Sequence, residues 1–126
     1  MILAQELSII GVQFKDEKAR ISTQFLDCVD RANGTAKQYL CIEVENKLEE
    51  SIVVTFKREM WFDGKCLNCD SDSPEYISSL TLEANETIRG ACGESRDLLI
   101  FSKMLELKGV GQLSHFELKN INIQKL

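Results

Sequence analysis

Apolar and polar residues alternate with a period of two along most of this 126-residue chain. Because successive side chains of a β-strand point to opposite faces, this pattern predicts strands with one buried face. The alternating segments are 10–14, 19–25, 39–45, 51–62, 76–83, 87–92, 98–101 and 116–123. They recur roughly every 8–14 residues with turn residues between them, which predicts an all-β antiparallel sandwich and not alternating strands and helices.

Three places depart from the simple alternation. Arg58 falls on the apolar side of the run 51–62, so either its stem is buried as it reaches the sheet edge or a bulge shifts the register there. Ile121 resumes the alternation one residue out of phase, which predicts a bulge near Asn120. Residues 101–109, FSKMLELKG, favour helix by composition and end at a glycine, so the prediction allows one short helix there.

Length and charge narrow the functions to consider. A chain of this length fits one domain spanning residues 1–126, which buries roughly two thirds of its unfolded surface. Its 15 basic residues are outnumbered by 20 acidic ones, for a formal net charge of −5. No Lys/Arg cluster forms a stripe, so neither nucleic acid nor an anionic membrane is an expected partner. No apolar run approaches the roughly 18 residues that a membrane-spanning helix needs, so membrane insertion is not expected.

The first residues leave two interpretations open. Ile2 and Ala4 stand at positions −3 and −1 of a potential signal-peptidase cut before Gln5. Residues 1–4 are then a remnant of a leader behind an added Met1. Alternatively, this is a native cytosolic start that contains Ala4 by chance.

Three stretches together resemble a known group of domains: YLCIEVENKLEESIVVTFKREMWFDGK, LTLEANETIRGAC and the closing FELKNINI. They are similar to the small immunoglobulin-like domains of uncharacterised secreted bacterial proteins. The likeness covers residues 39–123 and rests mostly on β-turns and core positions. It implies an immunoglobulin-like β-sandwich, exported by a bacterium to the periplasm or the cell surface, with no catalytic residue and no cofactor.

Two of the five cysteines, Cys66 and Cys69, form a C-x-x-C motif within DGKCLNCDSDSPEY. Thiol–disulfide oxidoreductases place this motif at a helix N-terminus, where the thiol pKa falls. Here the motif follows a strand and enters an acidic turn, whose negative charges raise a thiol pKa. No strand–helix–strand pattern flanks it, so redox catalysis is not expected.

Two structural roles remain for these cysteines. Cys66, Cys69, Cys92 and His115 could form a Cys₃His zinc site, although a second C-x-x-C is missing and His115 alternates within an ordinary strand. Alternatively, a disulfide from Cys92 to Cys66 or Cys69 would pin the long loop between Trp61 and Tyr76, with a Cys66–Cys69 bond as the local option. Five is an odd number, so one thiol is left over. Disulfides are favoured over five reduced thiols mainly because the resemblance implies export.

The candidate binding residues surround this motif. Trp61 alternates with the apolar face of its strand and is expected on the opposite face, as an anchor for a partner or a cover for the strand edge. Asp63, Asp70, Asp72 and Glu75 are the acidic residues of this loop. Asp70, Asp72 and Glu75 form either a solvated turn or a weak calcium site without the EF-hand spacing.

The function expected from these patterns is a secreted or periplasmic binding module without catalysis, whose partner is a protein or a surface glycan. The second hypothesis is a small acidic inhibitor or immunity-type protein that presents the loop 63–75 to a basic enzyme. The third is a structural zinc-binding domain. His115 is the single histidine, so no catalytic triad can form, and an enzyme would need a pocket around His115 and a cysteine.

Overall fold

Nine strands succeed one another in the computed structural model of the chain, which describes residues 9–93, 96–106 and 111–126. In order they are β1 (Gly11–Lys15), β2 (Ala19–Asp30), β3 (Thr35–Asn46), β4 (Ile52–Phe62), β5 (Lys65–Cys66), β6 (Ile77–Leu82), β7 (Thr87–Arg89), β8 (Leu99–Met104) and β9 (Leu113–Lys125). Single 3₁₀ turns lie at Pro74–Tyr76 and Arg96–Leu98. All strand pairs are antiparallel, and the all-β, immunoglobulin-like sandwich is confirmed.

The strands form two sheets. In the first sheet β1, β2 and β3 lie side by side, and β7 and β8 follow each other along the far edge of β3. In the second sheet β4 is central, with β9 along one edge and β6 and β5 along the other. Alternate side chains of both sheets point inward and form one core. The fully buried apolar side chains are Ala19, Ile21, Leu40, Ile42, Val44, Ile52, Val54 and Leu82.

Arg58 points into the sandwich and leaves only 5% of its surface exposed. The pairing of β4 with β6 is regular up to Lys57, so the guanidinium is inward because of the strand alternation and not because of a bulge in β4. A buried charged group needs partners. Its Nε donates a 2.8 Å hydrogen bond to Ser78 Oγ, and Nη2 donates to the Glu75 carbonyl. Arg58 thereby connects β4 to β6 and to the 3₁₀ turn that precedes it.

The predicted bulge near Asn120 is confirmed. Thr55 of β4 faces Asn122 of β9, whereas Lys57 faces Lys119, so β9 contains one extra residue between these pairs. Asn120 has a φ of 56°, the left-handed conformation that asparagine tolerates better than most residues. The bulge explains why the apolar residues of β9 change phase.

The short helix allowed for residues 101–109 is not formed in the part that the structure describes. Leu99–Met104 is strand β8, and Leu105 still donates a backbone hydrogen bond of 2.9 Å to Ala36. The edge of β3 offers partners for a whole strand, and tertiary pairing of this kind overrides helix propensity. Residues 107–109 lie outside the described residues.

Between β7 and β8 the chain leaves the edge of β3 after Gly90 and returns to it at Leu99, and we call the segment between these two residues the excursion. Gly90 donates a backbone hydrogen bond to Ile42, while Leu99 pairs with Cys41, the next position along β3. Neighbouring positions of β3 are therefore met by residues that lie nine apart in the sequence. Because the chain leaves and returns at the same place, a Cβ on Gly90 would lie 2.6 Å from the Leu98 carbonyl oxygen.

A disulfide joins Cys92, inside this excursion, to Cys28 of β2. The expected bond from Cys92 to Cys66 or Cys69 is wrong, because the excursion reaches the first sheet whereas those two cysteines follow β4 of the second. The leftover thiol belongs to Cys41, which is 2% exposed and lies beneath Gly90, with 3.4 Å between its Sγ and the Gly90 carbonyl oxygen. Burial raises the pKa of the Cys41 thiol, so it is a poor nucleophile at neutral pH.

We predict that Gly90→Ala destabilises the fold by about 1–3 kcal/mol. The added methyl group would clash with the Leu98 carbonyl oxygen, so the backbone at Gly90 or at Leu98 has to move. Gly111→Ala is the matched control, since its Cβ would meet Asp63 Oδ2 at an ordinary 3.5 Å. Urea unfolding of the oxidised proteins measures both changes. Equal stabilities for the two variants would contradict the close approach at Gly90.

Candidate functional site: the braced loop

One edge of β4 is covered in two separate pieces. β6 pairs with it as far as Lys57, and β5 pairs with Trp61 and Phe62. Between these pieces no strand of the described residues covers the edge, although Arg58, Glu59 and Met60 are all buried. Buried backbone N–H and C=O groups without partners cost about 1–3 kcal/mol each, so this gap has to be closed.

The side chain of Asn68 closes the gap. Its Oδ1 accepts a 3.0 Å hydrogen bond from the Met60 N–H, and its Nδ2 donates one of 2.7 Å to the Arg58 carbonyl. Leu67 adds a backbone bond of 2.8 Å to the Met60 carbonyl. A carboxamide has the donor and acceptor of a peptide group, so Asn68 replaces the missing strand. Asn68 is 2% exposed.

The chain reaches Asn68 through a tight turn at the end of β4. Asp63 and Gly64 have φ values of 50° and 82°, the left-handed pair that a two-residue hairpin requires and that Asp-Gly favours. The Asp63 N–H donates to the Gln112 carbonyl at 3.1 Å, and the Gly64 N–H donates to Ser114 Oγ at 2.9 Å. The turn is therefore attached to the segment that leads into β9.

A second disulfide, Cys66–Cys69, brackets Leu67 and Asn68. The Cys69 carbonyl accepts a 3.2 Å hydrogen bond from Lys57 Nζ, which also lies 3.0 Å from Glu59 Oε2. Both charged side chains are nearly buried beneath the loop. We call residues 63–76 the braced loop, because β5, Asn68 and Lys57 attach it to β4 and a disulfide closes a ring within it.

The outer side of the braced loop is exposed. Leu67, between the two bonded cysteines, keeps 60% of its surface in solvent. Asp63, Asp70, Asp72 and Glu75 are exposed as well. The loop therefore combines a buried anchor, Asn68, with one apolar and four acidic side chains directed to solvent.

Trp61 lies on the outer face of β4, as predicted, but it is half-buried. Its ring packs edge-on against His115 of β9, with the centroids 4.7 Å apart. Glu117 lies beside His115 on the same strand face, 3.0 Å from His115 Nε2 and 2.6 Å from Lys119 Nζ. His115 covers part of the Trp61 ring, so Trp61 contributes to packing at the end of β4 and is not fully exposed as an anchor.

The hydrogen bond from Lys119, followed by the one from His115, lowers the pKa of Glu117 from its ordinary value of 4.5. A lowered pKa in the folded state favours folding above pH 4.5, and this contribution is lost as the pH falls through the lowered value. Glu117 and Lys119 are well exposed, so the effect on stability is small.

The four residues of the alternative zinc site are not brought together. Cys66 and Cys69 are bonded to each other, Cys92 is bonded to Cys28, and His115 packs on Trp61. A thiolate is the ligand that zinc needs, and these sulfurs are oxidised. Within residues 9–93, 96–106 and 111–126, no group of three His, Cys, Asp or Glu side chains could hold a metal ion, which includes the acidic residues of the braced loop.

Sequence reasoning missed Leu67, Asn68 and Cys28. An asparagine between two cysteines gives no periodic signal. Asn68 can bond to β4 only because the pairing with β6 ends at Lys57 and the pairing with β5 begins at Trp61. Cys28 sits in a polar part of β2, and its partner lies 64 residues away.

No protein-family model, curated protein or solved structure matches this chain. The resemblance to secreted immunoglobulin-like domains therefore remains a prediction. No helix in the described parts of the chain is long and apolar enough to span a membrane.

We predict that Asn68→Ala lowers the free energy of unfolding by about 2–4 kcal/mol, because it leaves two buried backbone groups of β4 without partners. Asn68→Asp keeps the shape of the side chain but replaces the Nδ2 donor by an oxygen. The Arg58 carbonyl then loses its hydrogen bond, so this variant should also be less stable than the parent. Asn122→Ala, on the exposed face of β9, is the control and should change stability by less than about 0.5 kcal/mol. Denaturant unfolding tests this. Stability of Asn68→Asp equal to the parent would show that packing, not hydrogen bonding, holds the loop.

We predict different roles for the two disulfides. Replacing Cys28 and Cys92 by serine opens a link with a sequence separation of 64 and should cost about 4 kcal/mol of global stability. Replacing Cys66 and Cys69, separated by 3, should cost about 2 kcal/mol or less. Hydrogen exchange should then increase locally, at residues 65–70. Non-reducing peptide mapping checks the pairing, and Cys41 should resist alkylation until the chain unfolds.

Proposed function

We propose that this protein is a secreted or periplasmic binding module, without catalytic activity, that engages a partner protein through the braced loop. The proposal rests on the difference in exposure between two adjacent residues. Leu67 is 60% exposed, whereas Asn68 is 2% exposed and hydrogen-bonded to β4. A single exposed leucine is ordinary on a protein surface. An exposed leucine whose loop is hydrogen-bonded to β4 and closed by a disulfide is preorganised, which reduces the entropy lost on binding.

The two disulfides support export. Structural disulfides form and persist in oxidising compartments and are rare in the cytosol. A chain of 126 residues can bury a sufficient core without them. Their presence therefore fits a compartment that permits oxidation, such as the periplasm or the cell exterior.

The charges of the braced loop indicate the chemistry of the partner. Asp63, Asp70, Asp72 and Glu75 expose four carboxylates on the loop that presents Leu67. A complementary surface has an apolar pocket for Leu67 and Lys or Arg residues around it. Complementary charges mainly accelerate association, so binding should weaken as salt is raised.

The second candidate is a small acidic inhibitor or immunity-type protein. A loop with an apolar residue and several carboxylates, held rigid by a disulfide, also suits insertion into the basic active site of an enzyme. Both candidates use the same loop, and they differ in whether binding blocks a reaction of the partner.

We predict that Leu67→Asp abolishes partner binding, because a carboxylate cannot enter an apolar pocket. Val29→Asp is a matched control, since Val29 is also 60% exposed but lies on β2. The three proteins are immobilised, and extracellular or periplasmic extract of the source cells is passed over them at low and high salt.

The expected result is a protein retained by the parent and by Val29→Asp, lost on Leu67→Asp, and eluted by salt. Equal retention by all three proteins, or equal loss on both variants, would contradict a role for the braced loop. If the retained protein is an enzyme, assaying it with and without the domain separates the inhibitor from the other binding modules.

A further inference from the structure

A cleft of about 440 Å³ lies between β8, the edge strand of the first sheet, and β4 of the second. Leu99, Ile100 and Phe101 line it from β8, and Arg58 and Met60 line it from β4. Glu75 and Tyr76, at the C-terminal end of the braced loop, complete the wall together with Tyr39 and Gly93. The cleft is therefore mainly apolar and aromatic.

The lining from β8 shows where the cleft runs. Neighbouring side chains of a strand point to opposite faces, so a cleft over one face would be lined by every second residue. Here three consecutive residues, Leu99, Ile100 and Phe101, line the same cleft. The cleft must then run along the edge of β8, where backbone N–H and C=O groups point outward. Among the described residues, β8 pairs with β3 on one edge and with no strand on the other.

We propose that β8 accepts an extended segment of another protein as an added antiparallel strand, with an apolar side chain of that segment in the cleft. Peptides bind to exposed strand edges in this way, with affinity from backbone hydrogen bonds and specificity from the pockets beside them. Phe101 gives the cleft a fixed wall, because its ring packs against Tyr39 and Phe62 with centroids 6.0 and 6.4 Å away.

The length of the added strand is limited by β8 itself. Gln38 pairs with Lys103 and Tyr39 with Phe101, so Ser102 is a bulge in β8. Ser102 is also buried and donates a hydrogen bond to Gln38. A bulge interrupts regular pairing, so the added strand should pair with Leu99–Phe101 and end near the bulge.

Charges at the two ends of β8 favour one direction. Ser78 donates to the Asp97 carbonyl and accepts from Arg58, which places Asp97 and Glu75 at the Leu99 end of the cleft. Arg58 lies there as well, but it is only 5% exposed and the two carboxylates outnumber its guanidinium, so this end is net negative. Lys103 lies at the other end. An antiparallel segment that begins with an acidic residue and ends with a basic one matches both ends.

The test uses the synthetic peptide acetyl-Glu-Val-Thr-Val-Thr-Val-Lys-amide and ¹⁵N-labelled protein. We expect the backbone amide signals of Leu99, Ile100 and Phe101 to shift on titration. A peptide of the same composition with its two charged residues exchanged should bind more weakly. Successive residues of a strand direct their N–H groups to opposite edges, so a peptide N-methylated at both the central valine and the threonine after it loses a donor to β8 in either register. It should bind about fivefold more weakly for each hydrogen bond lost.

Variants locate the binding in the cleft. Tyr76→Glu places a charge in its apolar wall and should abolish the shifts, whereas Val12→Glu, on the exposed part of β1, should leave them unchanged. Leu67→Asp should also leave them unchanged, which separates this inference from the role of the braced loop. Equal binding of the N-methylated peptide would indicate a side-chain pocket for small molecules, and absence of shifts at millimolar peptide would mean that the edge is closed. Either result overturns strand addition.

Discussion

The fold depends on how the edges of two strands are completed where no neighbouring strand reaches them. β4 is the centre of its sheet, and one of its edges is open and buried between β6 and β5. Asn68 supplies a donor and an acceptor at this place, at 2.7 and 3.0 Å from backbone atoms of β4. Because unpaired buried backbone groups are costly, this side chain decides the path of the loop that carries it. The C-x-x-C motif is part of that solution, since its disulfide holds Asn68 in position.

The far edge of β3 shows the same constraint solved differently. β7 and β8 cover it in turn, and the chain between them leaves at Gly90 and returns at Leu98. The excursion is tied to β2 through Cys92 and covers Cys41. The Cys28–Cys92 disulfide thus holds a loop against the first sheet, whereas Cys66–Cys69 closes a ring within its own loop. In both places the neighbouring surface carries a feature suited to binding: an exposed Leu67 on one side, and an apolar cleft beside β8 on the other. Rigid attachment of a loop lowers the entropy lost when a partner binds it.

The two proposed surfaces follow different chemistry. The braced loop presents side chains, an apolar one among carboxylates, and suits a partner with a pocket and a basic rim. The cleft beside β8 presents a backbone edge and suits an extended segment. Zinc chemistry loses support at the C-x-x-C motif because its sulfurs are bonded to each other and are not thiolates, while the remaining thiol is buried and has a raised pKa. Trp61, the single tryptophan of the sequence, is partly covered by His115 and contributes to packing.

The sequence by itself determined most of the strands and the core, because a period of two is a local property that burial of one face imposes on each segment. It did not show that β2 continues to Asp30 or that β5 pairs with β4. It determined the bulge at Asn120, where the alternation changes phase, and the turn at Asp63-Gly64, whose residues tolerate positive φ. Only the tertiary structure decided that residues 101–104 form a strand, since the edge of β3 outweighs their helix propensity. It also decided that Cys92 pairs with Cys28 and that Asn68 closes the edge of β4. These contacts join segments that meet only after the sheets have formed, and no local pattern encodes them.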